Sequence, residues 1–134
     1  MTTVRARRYQ CQSCGVCMLV VPREIMPRRL YTACAIGLAF AMWALLGATE
    51  SAVRTRISPF AVVGATAFGS WITLRRWAAA AGSGRLFATS RTSPKDFTLR
   101  QHAERAAAAL GALAPAGLTA TDAAFAGAAV HRPP

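Results

Sequence analysis

The stretch "TAFGSWITLRRWAAA", Thr66 to Ala80, decides how this chain is read. At about 100° of rotation per residue, Ala67, Trp71, Leu74 and Ala78 fall on one apolar stripe, while Gly69, Thr73 and Arg76 lie opposite. One face packs and the other looks outward. The expected fold is therefore mainly α, with this helix resting on neighbours through its stripe.

Working outward towards the C-terminus, "AGSGR" breaks the helical pattern and opens a linker over residues 82–97. Thr98-Leu99-Arg100-Gln101 then has the T-x-x-Q form of a capping box, which predicts a helix over 98–113. Residues 114–134 are alanine-rich and low in complexity, and are expected to be a frayed helix or a disordered tail. Towards the N-terminus, Ser58-Pro59 suits the cap and first turn of a short helix through about Gly64, and "SAVRTRI" makes another. Leu30 to Thr49 carries no charge, and its helix is expected to end at Leu46 with Gly47 as the cap. Before the two-proline linker "PREIMPRR", residues 4 to 22 read as a short β-hairpin with its turn at Cys11 and its end at Pro22. The expected organisation is thus a hairpin unit over 1–22, a helical bundle over 30–81, the linker, one further helix and the tail.

The 134 residues hold 16 Lys+Arg against 5 Asp+Glu, a formal charge of +11. Such a chain seeks polyanions, and its size excludes a large catalytic core. Ten arginines precede residue 77 against Glu24 and Glu50, so the basic function is placed in the first part. Lys95 alone among the basic residues is not arginine, a one-sidedness that, beside so much alanine, reads as coding bias. Thr2 to Gln10 are polar and arginine-rich, unlike a secretory signal, and a cytoplasmic, reducing location is expected. There, clustered cysteines bind metal more often than they form disulfides.

Cys11-x-x-Cys14 followed by Gly15 is half of a zinc knuckle: the two-residue gap brings both sulfurs to one ion, and the glycine permits the turn. Zinc is the cofactor implied, at an incomplete site, because a structural zinc takes four ligands. Cys17 reads as a strand core residue and Cys34 as a small hydrophobe inside an apolar helix. An iron–sulfur reading of C-x2-C-x2-C lacks the C-x3-C-P continuation. Glu24, Glu50, Asp96, Glu104 and Asp122 are scattered, His102 and His131 have no arranged partners, and both histidines are expected at the surface. No catalytic constellation results, and no enzyme is expected. "GATAFG" has Ser70 where a phosphate loop requires lysine.

The run "RRYQCQSCG", the strand ending in "VVP", the "PRRLY" helix entry and "SWITLRRW" together resemble bacterial transposase-like proteins that carry a zinc ribbon followed by a helix-turn-helix. The likeness covers roughly Arg5 to Ala81. It implies that Cys11 and Cys14 match the second knuckle of the ribbon, and that an upstream C-x-x-C pair completes the zinc. With Met1 only ten residues before Cys11, the expectation is a ribbon that has lost its first half through gene decay or a late start. Double-stranded DNA is the implied partner. The resemblance implies that Thr73 and Arg76 reach base edges or phosphates, that Gly69 allows close approach, and that Arg75, Arg54 and Arg56 contact the backbone.

An alternative needs no family. The twenty uncharged residues Leu30 to Thr49 would span about 30 Å as a helix, and Ile57 to Leu74 is a second uncharged run. Together they would make a two-helix membrane hairpin with arginines at both ends.

Overall fold

The structure, a computed structural model, describes residues 7–20, 31–58, 64, 69–88 and 92–131. Strands β1 (Arg7–Gln10) and β2 (Cys17–Val20) pair antiparallel, Arg7 opposite Val20 and Gln10 opposite Cys17. The turn between them closes through two backbone bonds: Gly15 N–H donates to the Cys11 carbonyl (2.9 Å) and Cys11 N–H to the Val16 carbonyl (2.8 Å). Gly15 adopts φ +72°, the left-handed conformation that glycine takes without steric cost. Every side chain from Arg7 to Cys17 is exposed. That includes Cys17, which the sequence placed in a strand core; a lone two-stranded hairpin has no second layer to cover it.

The rest is helical, and the fold is mainly α as expected. Thr32 caps α1 (Ala33–Phe40), its hydroxyl accepting the Ala35 N–H at 3.2 Å. The helix then widens into a π-helical turn over Ala41–Leu45, where Leu46 N–H reaches back to the Ala41 carbonyl, and the chain turns at Gly47. The uncharged stretch is therefore not one straight rod. Ile36, Ala39 and Phe40 are fully buried, which explains why this segment carries no charge.

Thr49 caps α2 (Glu50–Ile57), and α3 spans Ile72–Gly82. The short helix expected from Ser58 to about Gly64 falls largely outside the described residues, as does Ala67. On α3, Leu74, Trp77, Ala78 and Ala81 are buried, with Trp71 buried just ahead of the first turn. Trp77 meets Trp71 edge-on at 5.3 Å and Tyr31 at 4.9 Å. The main brace of α3 is α4 (Leu99–Gly111), entered through the capping box that the sequence announces: Gln101 N–H bonds the Thr98 hydroxyl and Thr98 N–H bonds the Gln101 side chain.

The alanine-rich end is an ordered element. Residues Ala120–Val130 form α5, capped by Thr119, and pack on both α1 and α4. The contact is unusually close. A Cβ added at Gly37 would lie 2.8 Å from the Ala124 carbonyl oxygen, and one added at Gly127 would collide with the backbone of Leu110. Small residues let the helix backbones approach, so Ala103, Ala107, Ala124 and Ala128 are buried in place of larger side chains. Between α3 and α4, Phe87 plugs the core at φ +56°, edge-on to Phe40 at 6.2 Å.

Candidate nucleic-acid interface and cysteine turn

Glu50 organises the basic surface. It opens α2, yet its carboxylate reaches the start of α3, accepting the Trp71 N–H at 2.6 Å and pairing with the Arg75 guanidinium at 2.8 Å. Trp71 offers no side-chain cap of its own, so Glu50 supplies from another helix the anionic acceptor that a helix N-terminus favours. The pairing with Glu50 raises the Arg75 pKa above its ordinary value.

The arginines of this region fall into two groups. Arg75 is held by Glu50, Arg100 lies over the Trp43 ring at 5.4 Å, and Arg85 donates to Ser83 at 3.0 Å. Arg56 and Arg76 are exposed and have no partner among the described residues. Arg54 is half-buried, its Nε enclosed without a hydrogen-bond partner among the described residues. Of the other expected contact residues, Gly69 is exposed and Thr73 is half-buried on α3. Glu50 thus ties the helix bearing Arg54 and Arg56 to the helix bearing Thr73, Arg75 and Arg76. Sequence reasoning missed its role. The available signal was one acid at a helix start inside an arginine-rich segment.

At the hairpin, Cys11 and Cys14 share one exposed turn. Hydrogen bonds from the backbone of Cys14, from its thiol, and from Ser13 pull the Cys11 thiol down from 9.0 to about 7. Cys17 accepts from Arg8 at 3.3 Å. No group of three or more metal-binding side chains exists among the described residues. The turn fits half of a zinc site and no more.

The histidines divide. His102 is half-buried against Gly82 and Phe97, whereas His131, expected at the surface, is only 7% exposed at the end of α5 and stands edge-on to Phe87 at 5.3 Å. Neither ring nitrogen of His131 has a hydrogen-bond partner among the described residues, and burial lowers its pKa. It sits inside because α5 packs as a helix rather than trailing off as a tail.

Compared with known proteins, the chain matches no family model, no curated protein and no solved structure. Among the described residues no helix is long and apolar enough to cross a membrane. The membrane hairpin would need residues 30–49 as one span, but the helix, its π-helical turn included, runs only from Ala33 to Leu45 before the chain turns at Gly47.

Proposed function

We propose that this chain is a double-stranded-DNA-binding module of the transposase-like type, acting in the cytoplasm without a catalytic core of its own. The observation that carries the reading is the pair of exposed, unpartnered arginines, Arg56 on α2 and Arg76 on α3, on helices that Glu50 joins. In a chain of formal charge +11, cations left without acidic partners are free to neutralise phosphates. The buried stripe of α3 holds the helix on the body, so its opposite face is free to approach a groove. Arg56 and Arg76 serve as phosphate or base contacts, Thr73 and Gly69 border the approach, and Arg54, half-buried, and Arg75, held by Glu50, support it. Zinc at Cys11 and Cys14 belongs to the same reading as a structural ion.

The test is duplex binding by fluorescence anisotropy across a salt titration. Affinity is expected to fall steeply with salt, by roughly 0.9 in log–log slope per phosphate neutralised. Arg76→Ala and Arg56→Ala should each weaken binding and lower that slope by about 1, with unchanged helical content. Glu50→Gln, which frees Arg75, should strengthen binding. If the two arginine variants bind as the parent does at every salt concentration, the assignment is wrong.

A further inference from the structure

The Cys11–Cys14 turn presents two thiols that no third metal-binding side chain joins among the described residues. Both are exposed at the tip of a hairpin whose side chains from Arg7 to Cys17 all lie open, and the turn beneath them is closed by the Gly15-to-Cys11 backbone bond. The remaining ligand types are accounted for one by one. Cys34 is buried in α1, His131 is enclosed beside Phe87, and Glu50 is engaged by Trp71 and Arg75. Asp96, Glu104, Asp122 and His102 belong to the helical body, and Cys17 does not converge with the turn into a three-ligand group. Outside the described residues the sequence offers only Glu24.

A tetrahedral zinc ion needs four ligands, and two identical turns related by a two-fold axis through the ion supply four thiolates. We infer that Cys11 and Cys14 form an intermolecular zinc site, in which two copies of this chain each donate one cysteine turn to a single shared ion. The charges fit this arrangement. Zinc with four thiolates carries a net charge of −2, and the strand leading into each turn carries Arg7 and Arg8, Arg8 reaching Cys17 just past the turn at 3.3 Å, so the hairpins' positive charge favours the cluster. The exposure of every side chain from Arg7 to Cys17 leaves the tip accessible to a second hairpin. This inference does not depend on DNA binding.

The experiment uses the full chain, reduced with a non-thiol reductant, stripped of metal, and titrated with zinc. Metal content is read with the solution mass by light scattering; cobalt serves as a spectroscopic probe of tetrahedral thiolate ligation. The expected result is one zinc per two chains and a doubling of mass, both reversed by chelator. Cys11→Ser and Cys14→Ser should abolish both, while Cys17→Ser should retain both. Circular dichroism of the two turn variants should match the parent, because neither side chain is buried. The inference is overturned by one zinc per monomeric chain, by uptake without a change in mass, by no uptake, by a doubled mass that survives the chelator, or by loss of zinc in Cys17→Ser.

Discussion

In the hairpin every side chain from Arg7 to Cys17 is exposed, whereas in the helical body Ile36, Phe40, Val53, Leu74 and Leu110 are fully buried. The hairpin is shaped by four paired residues on each strand and a glycine turn; the body is shaped by apolar surface withdrawn from water. An isolated two-stranded ribbon is marginal in water, so its order depends on something added to it, such as an ion or a partner. The body has a buried core of its own. Changes in the two regions should therefore separate cleanly between stability and binding.

The largest effect should come from the aromatic cluster. Trp77→Ala or Trp71→Ala removes a packed ring from under α3 and should cost roughly 3 to 5 kcal/mol, measured by chemical denaturation followed at helical wavelengths. An unchanged midpoint for both would mean that the body is not held by this cluster. Gly127→Ala should follow, at about 1 to 3 kcal/mol or more, because the added methyl meets the Leu110 backbone, which cannot rotate away as a side chain can.

Glu50 offers a finer cut through the body. Glu50→Ala leaves the Trp71 N–H without its acceptor and should cost about 1 to 3 kcal/mol, while Arg75→Ala should cost clearly less, since Arg75 is 46% exposed and its ion pair is screened. Equal losses would place the clamp's worth in the ion pair instead of the helix start.

His131 gives the body a dependence on pH. Its folded pKa lies below the ordinary value, so the unfolded chain binds the proton more tightly. Its contribution is complete above the unfolded pKa, near 6.5, and is lost progressively as pH falls below it. Melting temperature should drop on acidification through that range, and His131→Phe should flatten the drop. The smallest effect belongs to the hairpin: without metal, Cys11→Ser and Cys14→Ser should shift the body's denaturation midpoint too little to detect. A larger shift would show that the two regions are coupled.

Features written in neighbouring residues were legible in the sequence. Thr98 and Gln101 announce their capping box, Gly15 announces its turn, and Leu74 and Ala78 mark the buried side of α3. What escaped was the part made by distant partners. Trp77 lies beside Leu74 on the same face but was not included in the expected stripe. The clamp joins Glu50 to Arg75 across 25 residues, with no local spacing to betray it. The α5 segment escaped for a different reason: alanine is small enough to be either a buried contact or a solvated filler, and only the facing Gly37 and Leu110 decide which. Its burial carried His131 inward with it.

The close fit of α1 against α5 also sets the order of events at the ribosome. These helices lie at opposite ends of the helical body in sequence, with roughly 80 residues between them, and at about 5 to 20 residues per second a nascent chain takes on the order of 4 to 16 s to cross that interval. Meanwhile the face of α1 at Gly37 has been synthesised without Ala124 and Ala128, which will cover it. The packing of α1 is therefore completed only when the last helix of the body has been made.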